Sequence, residues 1–407
     1  MSIYADWGLS SIINASGAVT RLGGAPMPDA VLDAFRAAAR ECVPLDLLQG
    51  LASSEISRYT GAEAGCITSG AAAALMLGTA AILAGDNFGR MERLPDCSGF
   101  PHEFVVSREH RNGYDHAVRA AGARLIEVGY HEPLAGAGVR RTEAWEFDVA
   151  CGPQTAGIFY VFGSDSQPQL KDVVAVAHAR GLPVLVDAAG ELPPRSNLTD
   201  LIATGADLVC FSGGKAIRGP QATGLLCGRR DLIGSAVLQM LDMDDFFELW
   251  NPPPGLIDKS KFRGLPRHGI GRALKVSKEQ IMALLTALRL FASGAYDAEL
   301  AQKRLLLHDI ARSTEQCPVR CHIAEPKCPQ SAPWLEITLD EEKLGRTAFD
   351  VCRSLRHGEP GIYVGHSGLT ARQLIINPLH LNEADTKTLI GRLLEELRPK
   401  SCDHAEN

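Results

Sequence analysis

Asp207-Leu208-Val209-Cys210-Phe211-Ser212-Gly213-Gly214-Lys215 begins as an unbroken apolar run and ends in three small residues and a lysine. An apolar run without polar alternation reads as a strand covered on both faces. Upstream, Leu170 to Arg180 has helical periodicity and stops at Gly181-Leu182-Pro183, after which Pro183 to Val186 reads as another such strand, closed by Asp187. Gly157 to Phe162 and Arg124 to Val128 repeat the strand pattern, and Tyr114 to Ala121 the helical one. Strand–helix–strand alternation predicts an α/β fold with a mostly parallel sheet.

Farther on, a helical stretch from about Lys275 to Phe291 breaks at Ser293-Gly294, and the pattern then changes. Trp334 to Leu339 and Arg372 to Ile376 read as strands. Thr347 to Arg356 and Asp385 to Leu397 read as helices, the second with Asn382 as its N-cap. The reading is an N-terminal segment (1–16), a large domain (17–292) and a small C-terminal α+β domain (293–407). The loop from Trp250 to Gly264, with Pro252-Pro253-Pro254-Gly255, interrupts the large domain and is expected to border the active site.

Composition narrows the classes. The chain has 407 residues, 45% hydrophobic and 22% charged, as in an ordinary soluble globular protein of more than one domain. Met1 to Leu9 carries Asp6 and no basic-then-apolar run, so no signal peptide is expected, and Ala71 to Ala84, the most apolar stretch, is too short to span a bilayer. Eleven irregularly spaced cysteines read as reduced thiols, so a cytoplasmic location is expected. A net charge of −7 argues against nucleic acid as the main partner, although Lys259 to Lys278 holds a local basic cluster.

Three elements carry chemistry. Thr68-Ser69-Gly70-Ala71 opens an apolar helix, and small residues at a helix start let backbone N–H groups close on a phosphate; a Ser-capped, closely packed helix would look the same. Asp187 ends a buried strand, where α/β sheets bind ligands. It could hold a protonated pyridine nitrogen or simply cap a turn. Lys215 ends another strand among residues too small to shield it, where desolvation favours the nucleophilic amine. A lone lysine is ordinarily a solvated charge. The order of the three, however, is the order that a pyridoxal 5'-phosphate site on a doubly wound sheet requires.

Ser212 to Gly224 (SGGKAIRGPQATG) resembles the Schiff-base segment of fold-type I pyridoxal-phosphate enzymes related to bacterial selenocysteine synthase, the seryl-tRNA selenium transferase. Ile13 to Gly17, Leu51 to Gly85 and Ala121 to Gly129 resemble the opening segment, the cofactor-phosphate region and the strand after it. Ser107-Arg108-Glu109-His110-Arg111-Asn112 looks like the branch that does not use tRNA, which includes D-glucosaminate and D-glucosaminate-6-phosphate ammonia-lyases. Selenocysteine synthases carry an extra N-terminal helical domain, whereas this chain opens almost directly at the Asn14 segment.

The resemblance implies fold-type I architecture and pyridoxal 5'-phosphate bound through Lys215, with Asp187 at the pyridine nitrogen. It implies Ser69, Gly70, Ala71 and Ser212 around the phosphate. His110 would stack on the ring, or else be a surface-loop histidine. The substrate carboxylate is expected to meet Arg372, with Arg272 and Arg21 as rivals. A homodimer or larger homo-oligomer is implied, with a small amino acid as partner and neither nucleic acid nor membrane. The expected reaction is α,β-elimination of a 3-hydroxy-2-amino acid, sugar-derived and of D configuration, to a 2-oxo acid and ammonia. Transamination, racemisation, aldol cleavage, selenium transfer to seryl-tRNA and non-catalytic cofactor binding stay open.

Other patterns fail their tests. Cys317, Cys321, His322 and Cys328 lack paired zinc-ligand spacing. Gly365-His366-Ser367-Gly368 lacks a nucleophile elbow's glycine spacing, and Gly136-Ala137-Gly138 lacks the third glycine of a dinucleotide fingerprint. No metal is expected.

Overall fold

The computed structural model describes residues 2–130 and 140–398, so Gly136 to Gly138 lie outside the described residues. In chain order the strands are β1 (Ile13–Ala15), β2 (Ala64–Thr68), β3 (Glu103–Ser107), β4 (Arg124–Val128), β5 (Thr155–Val161) and β6 (Val184–Asp187). They continue with β7 (Leu208–Ser212), β8 (Gly224–Gly228), β9 (Val319–Ala324), β10 (Trp334–Leu339), β11 (Ile362–Val364) and β12 (Gln373–Ile376). The chain forms two compact units, one of Met27–Ala292 and one of Met1–Pro26 with Ser293–Asn407.

The unit of residues 27–292 is built on a seven-stranded sheet in the order β2-β8-β7-β6-β5-β3-β4. The pairs β7-β6, β6-β5, β5-β3 and β3-β4 are parallel, and β8 runs antiparallel to both neighbours. The apolar runs become strands because both faces are covered; every residue of β2, β6 and β8 is buried. β4 departs from that expectation. It is the edge strand, so Arg124 and Glu127 are exposed and only Val128 is buried.

The helices fall close to their sequence positions. Asp115–Ala120 and Leu170–Ala179 flank β4 and β6 in the chain. The helix expected from Lys275 starts at Lys278 instead, because Ile270–Leu274 is a 3-10 turn and Lys275 is extended. Arg272 and Lys275 therefore do not share a helical turn. The Trp250–Gly264 loop packs on surrounding helices: Pro253 meets Gly50, Leu256 meets Gly234, and Phe262 stacks on Phe88 with ring centroids 4.8 Å apart.

The other unit is α+β. β12, β10 and β9 form an antiparallel sheet, and its core includes Leu335, Ile337, Leu374 and Ile376, with Val351 and Leu355 from helix Ala348–His357. Asn382 caps Glu383–Glu396 by accepting the Asp385 N–H. The sequence sets Met1–Ser16 apart as a segment of its own. In the structure β1 pairs in parallel with β11, which brings residues up to Pro26 into this unit. Among the described residues no helix is long and apolar enough to cross a membrane.

Candidate active site

The register of the large sheet brings four chain segments to one edge. Val161, Asp187 and Cys210 are neighbours across β5, β6 and β7, so the carboxyl ends of these parallel strands emerge together. Thr68 and Ser212 both pair with Gly224, from opposite sides of β8. Ser69-Gly70 and Ser212-Gly213 are thus held across the start of β8. Open α/β sheets bind ligands at such an edge.

Glycine makes this approach possible. A Cβ at Gly224 would lie 2.5 Å from the Gly70 carbonyl carbon, and one at Gly214 would lie 2.5 Å from the Gln221 Cα. Gly70 itself has φ 104, a conformation that favours glycine, and it caps helix Ala71–Ala84. The Ser69 hydroxyl donates to the Leu274 carbonyl at 2.8 Å, and the Thr68 hydroxyl to the Gly70 carbonyl at 2.9 Å. The first-turn N–H groups of the helix lie at the same strand edge.

Lys215 follows in a turn off β7. Its Nζ lies 3.7 Å from where a Cβ would stand on Gly190, so the small residue after β6 leaves room for the lysine. Asp187 is 6% exposed. Its Oδ1 accepts the Ala189 N–H at 3.0 Å and the Cys210 thiol at 3.6 Å, while Oδ2 has no partner among the described residues. Burial pushes the carboxyl pKa up; the Ala189 and Cys210 donors and the Lys215 charge counter only part of that rise.

His110 sits in a 3-10 turn after β3 and is buried, so it is not a surface-loop residue. Its ring meets Tyr160 edge-on, with centroids 4.5 Å apart. Among the described residues neither ring nitrogen has a well-formed hydrogen bond; the Gln167 backbone lies near enough to oppose part of the fall in pKa. Burial lowers the imidazole pKa to about 4. Beside it opens a cavity of about 400 Å³, lined also by Arg141, Ser164, Ser166 and Glu191.

The sequence reading misses Glu191. It stands four residues after Asp187 ahead of Leu192-Pro193-Pro194, with no motif around it. Burial raises its carboxyl pKa, Lys215 opposes the rise and Asp187 adds to it. That pattern places Glu191 within the electrostatic reach of both.

The candidate arginines differ. Arg272 donates to Asp242 at 2.8 Å and lines a larger cavity of about 600 Å³, together with Gln49, Lys275 and Lys278. That cavity shares no lining residue with the one beside His110. Arg372 belongs to the other unit. It has φ 62, stands 61% exposed and faces Glu341 at 3.6 Å. Arg21, also of that unit, lies 3.4 Å from the His366 ring nitrogen and over the Tyr363 ring. Among the described residues one group has ligand atoms close enough for a metal, namely Asp242, Asp244 and His268; all three are exposed, and Asp242 is already paired with Arg272.

A mostly parallel sheet with a lysine, an aspartate and a glycine-started helix at one edge defines a fold-type I architecture. Residues 115–243 match the family model SelA, L-seryl-tRNA selenium transferase. The D-glucosaminate-6-phosphate ammonia lyase of Salmonella typhimurium is 29% identical over 97% of this chain and 97% of its own length. A solved structure of D-glucosaminate-6-phosphate ammonia-lyase superposes with a TM-score of 0.80 at 28% identity, covering 98% of each chain. A 5'-C-glycyluridine monooxygenase-decarboxylase from a Streptomyces species is 29% identical over 97% of this chain and 92% of its length. Over residues 115–243 the chain is thus similar to the L-seryl-tRNA selenium transferase family, and from end to end it shares the fold of a D-glucosaminate-6-phosphate ammonia-lyase.

Proposed function

We propose that this protein binds pyridoxal 5'-phosphate through Lys215 and catalyses α,β-elimination from a 3-hydroxy-2-amino acid, releasing a 2-oxo acid and ammonia. The observation that carries the reading is the convergence of Lys215, Asp187 and the Gly70 helix start on one strand edge. The buried, unpartnered nitrogens of His110 support it, because a protein interior rarely leaves such groups without a ligand. So does Asp187, a buried carboxylate with one oxygen unmet.

The cofactor supplies an electron sink for the pair released when the substrate α-proton is removed. The chain does the rest. Lys215 Nζ would hold the cofactor through its aldehyde carbon and, when freed, would take the α-proton of the substrate. Asp187 would hold the pyridine nitrogen and keep a proton on it. Ser69, Gly70, Ala71 and Ser212 supply hydroxyl and backbone donors to the phosphate. His110 would hold the cofactor ring by stacking. Arg372, with Arg21 and Arg272 as alternatives, pairs with the substrate carboxylate.

A sugar-derived D-amino acid is the proposed substrate class, since an ammonia lyase of such an acid aligns from end to end. The proposed protein is a cytoplasmic homodimer or larger homo-oligomer that needs no tRNA. The test is a panel of D- and L-hydroxyamino acids, phosphorylated and not, assayed for 2-oxo acid and ammonia. Equal amounts of both from one substrate support elimination. Keto acid without ammonia would mean transamination. Oxygen uptake with carbon dioxide release would align the chain with the monooxygenase-decarboxylase relative instead.

A further inference from the structure

Glu191 differs from the other acids around the site. Its backbone is fixed: the N–H donates to the Ala188 carbonyl at 3.1 Å, and its carbonyl accepts from the Asn197 amide at 2.6 Å. Its carboxylate has no hydrogen bond or ion pair among the described residues. Glu109, in contrast, is held by Arg141 and by the Thr142 N–H and hydroxyl. Glu191 is half-buried and faces the cavity beside His110. Its neighbour Gly190 abuts the Lys215 Nζ. A free carboxyl fixed by its backbone, next to the lysine and open to the cavity, is placed to exchange protons with both.

Elimination of a hydroxyl poses a specific problem. Hydroxide is a poor leaving group and departs readily only as water, so an acid must protonate the oxygen. We propose that Glu191 is that acid. Lys215 Nζ takes the Cα proton, the Cβ–O bond breaks with its electron pair on oxygen, and the Glu191 carboxyl proton moves to that oxygen. Water leaves. The Lys215 ammonium then returns its proton to the Glu191 carboxylate, which restores both groups. The substrate loses one proton and one hydroxide, together one water, with no oxidant or reductant. Burial and Asp187 raise the Glu191 pKa against the Lys215 charge, which increases the share of the carboxyl that carries a proton to give. The proposal rests on the elimination reading above.

The experiment compares two leaving groups, because chloride departs without a proton. Cofactor-loaded wild type and Glu191→Gln are assayed on hydroxyl substrates, namely D-glucosaminate, its 6-phosphate and both enantiomers of serine, and on both enantiomers of 3-chloroalanine. Glu191→Gln should lose about 100-fold or more on the hydroxyl substrate and keep its rate on the chloride. Glu191→Asp should recover part of the loss.

A second readout is independent of turnover. Absorbance titration of the Lys215-linked chromophore should show a lower pH midpoint in Glu191→Gln, since in the wild type Glu191 loses its own proton as the pH rises and then places a negative charge beside the nitrogen. Equal losses on both leaving groups, or no loss on the hydroxyl, overturn the proposal alone. A wild type that exchanges the α-hydrogen for deuterium yet eliminates neither group overturns the elimination reading, and this proposal with it.

Discussion

Asp187 and Asp207 sit at opposite edges of the same sheet, 6% and 4% exposed, and their surroundings have little else in common. Asp207 precedes β7 at the amino-terminal edge. It accepts from Arg229 at 3.0 Å, from the Val184 N–H at 2.8 Å, and shares a hydrogen bond with His178 at 3.0 Å. Every strong demand of a buried carboxylate is met there by the protein itself. Asp187 ends β6 at the carboxyl-terminal edge with one backbone donor and one thiol, and burial raises its pKa. A buried charge costs several kcal/mol unless compensated. One edge compensates its acid internally and so contributes to folding. The other leaves one oxygen of its acid without a partner among the described residues.

The largest expected effect concerns Lys215. Lys215→Ala should abolish elimination and leave no borohydride-reducible imine on the protein, as peptide mapping would show. A reducible imine at another lysine would remove the carboxyl-terminal edge from the mechanism.

Next is the direct contrast between the two acids. Asp187→Asn should lower turnover by about 100-fold or more, a loss of about 2.7 kcal/mol, with stability kept, since a buried carboxylate is replaced by a neutral amide. Asp207→Asn should do the reverse. Asp207 is buried but its Arg229 partner is half-exposed, so weakening the donors that Asp207 satisfies should cost about 1–3 kcal/mol of stability, with turnover per folded molecule unchanged. Urea denaturation and steady-state rates measured on both proteins separate the two. If Asp187→Asn unfolds the chain while keeping its turnover, the distinction between the edges is wrong.

Much of the carboxyl-terminal edge is legible in the sequence because its strands are short apolar runs that end in reactive residues. β6 and β7 announce themselves in this way, and β5 by its apolar run alone. β8 does not, because glycines stand at both of its ends, and they are there for packing: a Cβ on Gly228 would meet the Asp207 carbonyl oxygen at 2.0 Å. β3, Glu103-Phe104-Val105-Val106-Ser107, is just as apolar but follows Pro101-His102 without a helix stop to frame it. The pairing of β1 with β11 joins the two ends of the chain, and no local pattern encodes such a contact. Glu191 escapes for a related reason. Its significance comes from the space left by Gly190 and from the neighbouring Lys215, which only the folded chain brings together.

The smallest effect concerns His110, the other polar group that the carboxyl-terminal edge leaves unmet. Both of its ring nitrogens are buried without well-formed partners among the described residues, and burial lowers its pKa from 6.5 to about 4. In the unfolded chain the ring takes up a proton below about pH 6.5, whereas in the folded protein it does so only near pH 4. Stability is therefore complete above pH 6.5 and declines as the pH falls toward 4. At about 1.36 kcal/mol per pH unit, the loss approaches about 3 kcal/mol. His110→Phe fills similar space without a titrating group, so this part of the acid-induced loss should disappear. Chemical denaturation at pH 7 and pH 5 measures it: the wild type should lose more stability between the two than His110→Phe does. At pH 7 the substituted protein should be as stable as the wild type or more so, because it no longer buries two unpaired nitrogens. Equal acid sensitivity in the two proteins would mean that solvent reaches the ring, and the unmet polarity of this edge would then rest on Asp187 alone.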